Sequence, residues 1–319
     1  MISVIVCSDS EREVAFSALA ANIKNSVGVP FEIIRVVNDA TMPGICEAYN
    51  RGAAKAKYNF LCFVHDDIFF TTNDWGKKLI KHFDADEDAG LIGVLGCIYK
   101  TKMVAWWPHA RIENAETKRI NIIQHYKYNP AREKEIYSLN PFNEQKAKVV
   151  DIDGVFMATK KNIWEANKFD ADLFKGFHGY DADFSIQVGR TKNLYVVYDI
   201  VIEHFSEGNF DCDCLLDYFK LHKKWKTCLP LLCGDYKIDE TYKYAQNLNH
   251  LRKHLKMLIR NDFSFFSVQK KFFFLLTFFE RNKNARFFSK NVFAEWILIN
   301  RFFFSYHIKQ KKSLTENAA

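Results

Sequence analysis

Phe60-Leu61-Cys62-Phe63-Val64-His65-Asp66-Asp67 joins five consecutive apolar or thiol residues to three polar, titratable ones. Five such residues are too few for a helix. With no polar residue alternating among them, they predict a strand covered on both faces. The break at His65 predicts that this strand ends by delivering polar side chains to a sheet edge. Toward the N-terminus, residues 2–7 repeat the pattern and close on Ser8-Asp9-Ser10, and residues 32–37 close on Asn38-Asp39. Helical spacing of Val14, Leu19, Ile23 and Val27 fills the first gap before Gly28 and Pro30. Pro43 stands where a second helix would begin, and Ala48, Gly52, Ala53 and Ala56 suit that helix to close packing on a sheet. A further helix around 74–83 leads to a fourth strand over 91–97.

This β-α-β-α-β order predicts an α/β fold: a doubly wound, mainly parallel sheet flanked by helices, with right-handed crossovers. Ligands of such sheets bind outside the carboxyl ends of the strands. Ser8-Asp9, Asn38-Asp39 and His65-Asp66-Asp67 would all face that crevice. Each cluster alone is an ordinary turn or cap; three at successive strand ends point to a binding site. Neither G-x-G-x-x-G nor G-x-x-x-x-G-K-[ST] follows a strand, so no glycine loop is available to hold phosphates. A diphosphate there calls for a divalent cation on carboxylates, Mn2+ or Mg2+. Adjacent residues of an extended chain point to opposite sides, so one of Asp66 and Asp67 is expected to grip the cation. The other contacts ribose or orients its neighbour.

The chain has 319 residues, 48% apolar, 26% charged and 16% aromatic, with 13 Gly and 6 Pro, which excludes a collagenous or wholly disordered protein. No run of 18 apolar residues exists, which argues against a conventional membrane-spanning helix, and the N-terminus reads as a strand rather than a signal peptide. Eight cysteines are few for a disulfide-stapled protein of this length and fit a reducing, cytoplasmic setting. The Cys212/Cys214 and Cys228/Cys233 pairs are irregularly spaced for zinc. Charge divides the chain. Residues 1–234 hold 29 Lys and Arg against 31 Asp and Glu, net −2; residues 235–319 hold 16 against 7, net +9, with 14 of the 30 Phe. A body over 1–234 and a basic, Phe-rich region over 235–319 are therefore expected as separate modules.

Over about residues 2–234 these features resemble a family-2 glycosyltransferase with the GT-A fold. The opening strand and Asn38-Asp39 resemble the nucleotide-binding start, where most relatives carry two acidic residues. Ala48-Tyr49-Asn50-Arg51-Gly52 followed by 60–67 resembles the N-x-G helix and D-x-D strand, with His65-Asp66-Asp67 in the His-x-Asp form of a subgroup. Asp153-Gly154 lies in a segment resembling the sugar and acceptor site. Gly179-Tyr180-Asp181-Ala182-Asp183 resembles the E-D-x-D motif with Tyr180 in place of Glu. His204 matches a late metal- or diphosphate-contacting histidine, and Lys224-Trp225 and Leu229-Pro230 the end of the catalytic region.

The resemblance implies a metal-dependent, inverting transfer from a nucleotide-diphosphate sugar, a UDP-sugar by analogy, to a surface-glycan or lipid-linked saccharide acceptor. Asp67 and His204 would hold the cation, with a one-residue shift giving the first role to Asp66. Ser8, Asn38, Asp39, His65 and Asp66 would line the nucleotide side. Asp181 would be the base, and Asp153, Gly154, Trp107 and Asp183 would line the sugar and acceptor side. Plainer readings stand beside these. Asp181 and Asp183 precede a helix predicted over 184–189 and can cap it; His204 can be a core histidine; Asp153 can be a turn residue; Trp106-Trp107 can pack rather than stack on a sugar. A catalytically inactive binding protein on the same fold is the alternative, because His65, Asn38 and Tyr180 replace acidic positions. A nucleotidyltransferase is disfavoured by the missing basic glycine loop.

Beyond residue 235 the strand pattern stops. Tyr244, Leu248, Leu251, Leu255 and Leu258 fall at helical spacing, Phe272 to Leu276 and Phe278-Phe279 follow Lys270-Lys271, and a third helix is predicted over 292–304. Aromatic and basic residues together suit a helix in a membrane interface, where each Lys or Arg near an anionic leaflet contributes ~1 kcal/mol. A helical subdomain packing on the body, or on a second copy in a homo-oligomer, fits equally. No recognition motif accompanies the basic charge, so nucleic acid is not expected as a partner.

Overall fold

The computed structural model describes residues 1–38, 44–105, 117–208, 211–234, 240–278 and 285–316. Asp39, Trp106, Trp107 and Phe279 lie outside the described residues. Two compact units form, one from described residues of 1–100, 106–209 and 230–234, the other from those of 101–105, 210–229 and 235–319. The division into 1–234 and 235–319 expected from charge and composition is not tested by this packing.

The first unit runs β1 (Ile2–Ser8), α1 (Glu13–Ser26), β2 (Phe31–Val37), α2 (Ile45–Lys55), β3 (Phe60–Val64), β4 (Ile68–Phe70), α3 (Trp75–Asp84), β5 (Ala89–Gly93), β6 (Leu95–Cys97) and β7 (Tyr99–Lys100). It continues through β8 (Lys118–Gln124), β9 (Glu135–Leu139), β10 (Lys146–Val149), β11 (Asp151–Ile152), β12 (Phe156–Lys160), α4 (Lys161–Ala166), α5 (Tyr180–Gly189), β13 (Asn193–Val197) and β14 (Ile202–His204), and β15 (Leu231–Leu232) returns to pair with β7. The central seven-stranded sheet has the order β10-β13-β5-β12-β3-β1-β2. As the alternating elements predict, β1 lies parallel to both β2 and β3, and β13 parallel to β5. The segment beginning Phe156 adds what alternation did not predict: β12 runs antiparallel between β3 and β5.

The strand expected over 91–97 is divided between two sheets, and a second stretch of the chain is divided in the same way. Residues 91–97 pass from β5 in the large sheet to β6 in a second sheet, ordered β11-β6-β8-β14-β4 with β9 on β8. Glycine permits the passage, because a Cβ at Gly93 would run into Ile152 and one at Gly96 into the Asp151 carbonyl. Residues 195–202 divide likewise into β13 and β14. Asn121 Nδ2 donates to Ile200 O at 2.8 Å in the gap, meeting a carbonyl that no strand pairs.

The alternating faces of β1 and β3 are both covered, which is why neither strand alternates in sequence. Ile2, Val4, Val6, Cys62 and Val64 join Trp75, Leu79 and Phe156 in one buried cluster. On the other face Tyr49 and Phe63 pack at 5.0 Å between ring centroids, with Phe169 beside both.

The second unit is helical: α6 (Cys212–Lys224), α7 (Glu240–Arg260), α8 (Phe265–Leu276) and α9 (Ala285–Glu316). Leu251, Leu255, Leu258, Val268, Phe272, Leu275 and Ile299 are buried between these helices. Among the described residues, no helix is long and apolar enough to cross a membrane.

At Gly52 α2 presses closely on the sheet, since a Cβ there would overlap the Ile5 methyl Cγ2 and crowd Val36. Overpacking of this kind costs about 1–3 kcal/mol. Gly52→Ala is expected to lower the denaturant midpoint of unfolding accordingly, although alanine is the better helix former; an unchanged or raised midpoint would show that the contact relaxes freely.

Candidate active site

The carboxyl ends of β1, β2 and β3 open on one rim, and the chain after β3 reverses through His65-Asp66-Asp67 into β4. β4 pairs antiparallel with β14, Ile68 opposite His204, and Phe205 N–H donates to Asp67 O at 3.0 Å. That reversal gathers His65, Asp67 and His204. Asp67 Oδ1 lies 3.6 Å from His204 Nε2 and 3.9 Å from His65 Nδ1. Asp66 faces away from them, with Arg12 Nη1 at 2.8 Å from its Oδ1.

The surroundings fix how these groups present themselves. Gln124 Nε2 lies 2.6 Å from His125 O and 2.9 Å from Ser206 O, which only an amide NH2 can satisfy. Gln124 Oε1 therefore faces His204 Nδ1 at 3.1 Å, and Nδ1 carries the proton that it donates. His204 Nε2 is left buried without a hydrogen-bond partner, aimed at a carboxylate oxygen. A lone pair facing a carboxylate is unfavourable until a proton or a cation comes between. The Ser206 hydroxyl donates to Asp67 Oδ2 at 2.6 Å, leaving Oδ1 directed at the rings. Burial opposes the Asp67 charge, but His204, His65 and Ser206 more than offset it and hold the carboxyl well below its ordinary range. Burial also keeps His65 below the usual histidine range, against the pull of Asp67, so a neutral ring with a lone pair is favoured. Two imidazole nitrogens and one carboxylate oxygen, all within 4.8 Å of one another, can hold a divalent cation. Among the described residues this is the one such group, and no cysteine belongs to it.

Beside this cluster, His65 N–H donates to Val155 O at 3.2 Å, which brings the Asp153-Gly154 turn alongside. Tyr180 hydroxyl lies 2.9 Å from His65 Nε2 and fills the notch over Gly154, where any Cβ would overlap it. α5 starts at Tyr180, after Gly179 turns the chain at φ 76°, so Asp181 and Asp183 lie inside its first turn rather than before it. Asp181 does not cap the helix in the expected way. Its Oδ2 accepts Gly154 N–H at 3.1 Å and its Oδ1 accepts Ala182 N–H at 2.8 Å. Burial, then the charges of Asp153 and Asp151, push the Asp181 carboxyl up to about 7, with Ala182 N–H and Lys100 pulling the other way. Lys100 Nζ is 2.6 Å from Asp151 Oδ2 in a buried ion pair.

Other expected site residues fall as follows. Ser8 is buried at the end of β1 and donates to Asp9 O at 3.2 Å, while Asp9 Oδ1 caps a short turn through Glu11 N–H. Asn38 N–H donates to Ser8 O at 2.9 Å, and its buried Oδ1 has no hydrogen-bond partner. Asp153 accepts Val155 N–H at 3.0 Å, the turn role, while its charge still acts on Asp181. Asp183 is not brought to the rim: it is 1% exposed and accepts Gln187 Nε2 at 2.7 Å. Asp39 and Trp107 lie outside the described residues. Sequence reasoning missed Arg12, Lys100, Gln124 and Ser206. Ser206 stands two residues from His204 and was within reach of a local reading. Gln124 meets His204 only through the parallel β8/β14 register.

The family described as "Glycosyltransferase like family" matches residues 3–228. No curated protein matches the sequence. Among solved structures, a crystal structure of GalNAc-T7 with UDP, GalNAc and Mn2+ is similar at TM-score 0.47 and 12% identity, covering 71% of this chain and 50% of that one. S. aureus TarS is similar at TM-score 0.43 and 10% identity, over 81% of this chain and 43% of that one. A197 from STIV is similar at TM-score 0.36 and 13% identity, over 75% of this chain and 99% of that one. The chain thus spans half or less of the GalNAc-T7 and TarS chains.

The raised Asp181 carboxyl has a consequence for folding. The unfolded carboxyl ionises near pH 4 and the folded one at about 7, so its contribution to stability is complete below pH 4 and is lost as pH rises toward 7. Asp181→Asn abolishes that titration. Its stability relative to wild type is expected to rise between pH 4 and 7 by up to about 4 kcal/mol, read from urea unfolding at each pH. A pH-independent difference would show the carboxyl to titrate normally.

Proposed function

The chain belongs to this glycosyltransferase-like family, and from that membership we propose a metal-dependent, inverting transfer of a sugar from a nucleotide-diphosphate donor to an acceptor hydroxyl. The protein is a glycosyltransferase; the donor proposed is a UDP-sugar and the acceptor a surface-glycan or lipid-linked saccharide, with the catalytic region within 1–234. The observation that carries the reading is the buried, unpartnered His204 Nε2 aimed at Asp67, beside a carboxyl, Asp181, poised near neutrality.

His65, Asp67 and His204 are the residues that would hold the cation, and the nitrogen-rich donor set suits Mn2+ better than Mg2+. When bound, the cation supplies positive charge to the leaving diphosphate. The chain's own residues do the rest. Asp181, ionised, takes the proton of the acceptor hydroxyl as that oxygen bonds to the anomeric carbon. The bond from that carbon to the phosphate oxygen breaks, and its electron pair leaves with the diphosphate. Attack opposite the leaving group inverts the anomeric centre with no covalent enzyme intermediate. Gly154 and Ala182 N–H groups hold one lone pair on each Asp181 oxygen and leave another on each for the proton. Arg12 neutralises Asp66 on the nucleotide side, so that a diphosphate meets one fewer uncompensated anion there.

Incubation with a panel of nucleotide sugars and Mn2+, followed by release of nucleoside diphosphate, tests the reading. Transfer or slow hydrolysis is expected with Mn2+, less with Mg2+, and none after chelation. Nucleotide binding without any turnover would favour the inactive binding protein instead. Because the base must be ionised, log kcat/KM is expected to rise with unit slope below about pH 7 and level off above it. Asp181→Asn should keep nucleotide binding and lose transfer by a factor of about 100 or more; full turnover in that variant would remove the base. Gln124→Leu, which frees the His204 ring to choose its tautomer, should weaken Mn2+ binding about 10- to 100-fold, as titrated by electron paramagnetic resonance.

A further inference from the structure

The second unit buries one side of its last two helices and leaves the other strongly apolar. α8 turns Val268 and Leu275 inward, and α9 turns Ile299 inward, with Arg252 of α7 paired to the buried Glu295 of α9. Tyr306 on α9 donates to Arg260 O of α7 at 3.2 Å. α8 and α9 also hold each other: Gln269 Nε2 donates to Asn300 Oδ1 and Trp296 Nε1 to Gln269 Oε1, both at 2.7 Å. With one side of each helix on α7 and another on its neighbour, the remaining faces point away from α7 on a shared surface. Residues 266, 270 and 273 on α8, and 293, 301, 304 and 308 on α9, fall on those faces by helical spacing.

That surface is not ordinary solvent-facing helix. Phe266, Phe273, Phe293, Phe304 and Ile308 are each more than half exposed. Isolated exposed apolar residues need no explanation, but four phenylalanines on two adjoining helices do. Lys270 and Arg301 are exposed among them. α8 contains no acidic residue, and α9 contains Glu295, committed to Arg252, and Glu316 at its last position.

We propose that this face docks on an anionic lipid surface, its phenylalanines entering the headgroup boundary and its Lys and Arg meeting lipid phosphates. Charge decides against a second copy of the chain as the occupant. A two-fold pairing through this face would set a basic, carboxylate-poor stripe against itself, whereas anionic headgroups complement it. The inference is independent of the transfer reaction, because it rests on the helical unit alone.

Flotation of the full chain with vesicles of phosphatidylcholine, with and without phosphatidylglycerol, tests the proposal without requiring turnover. Binding to the phosphatidylglycerol vesicles is expected, at least about tenfold tighter than to phosphatidylcholine alone and weakening as salt rises. Phe266→Ser combined with Phe273→Ser should reduce it about tenfold or more. Lys270→Glu combined with Arg301→Glu should do the same while leaving the melting curve and transfer to a soluble acceptor unchanged. No flotation, equal flotation on both vesicles, or a concentration-dependent dimer in sedimentation velocity that these variants dissociate would each overturn it.

Discussion

The antiparallel pairing of β12 with β3, Phe156 opposite Val64, is the constraint on which the rim depends. It seats the Asp153-Gly154 turn beside His65, through the His65 N–H to Val155 O bond. Gly154 in turn supplies the N–H that Asp181 accepts and the notch that Tyr180 fills. A slip of one residue in this pairing would turn every side chain of β12 to the other face. Phe156 would leave the cluster it shares with Phe70 and Trp75, so the hydrophobic core enforces the register that the polar rim uses.

Electrostatically the rim divides into two neighbourhoods. On the side of β1 and β2, Asp66 is answered by Arg12, and Arg35 lies against the Asp9 carbonyl at 3.0 Å. On the side of β11 and α5, three carboxylates, Asp151, Asp153 and Asp181, share one buried cation, Lys100, which is committed to Asp151. Burial first, and then the charges of Asp153 and Asp151, raise Asp181, and Lys100 offsets only part of this. The same residue type at positions 67 and 181 is driven in opposite directions, one held ionised by two histidines and a serine, the other held near neutrality by burial among like charges.

The parallel half of the sheet was legible because β1 and β3 are short apolar runs with polar ends, a pattern that follows from being covered on both faces, while β2 at the sheet edge is only half-buried. The insertion of β12 was not, since nothing in Phe156-Met157-Ala158 says which neighbour it takes or in which direction. The divided strands over 91–97 and 193–204 escaped for a related reason: apolar character persists while the chain changes sheets at Gly93 and Ile200. Of the site, His65 and Asp67 stood out as polar residues ending an apolar run, whereas His204 and Asp181 were singled out only by the resemblance to the family. Gln124, Lys100 and Arg12 did not stand out, because a glutamine in a strand, a lysine beside a loop and an arginine in a first turn look like any others until register and burial bring each to its partner. The three tail helices were visible by spacing, but their true lengths were not.

Tyr180 occupies the position to which the resemblance to the E-D-x-D motif would assign a glutamate. Burial keeps its phenol protonated, and its hydroxyl is engaged with His65 at 2.9 Å. A carboxylate there would add a fourth anion to the Asp151–Asp153–Asp181 group and draw the proton on Asp181 tighter still, leaving it mostly neutral in neutral water. The neutral phenol spares the pocket that crowding: the swap from acid to tyrosine looks like a loss of function on paper, yet it keeps the neighbouring carboxylate able to shed its proton.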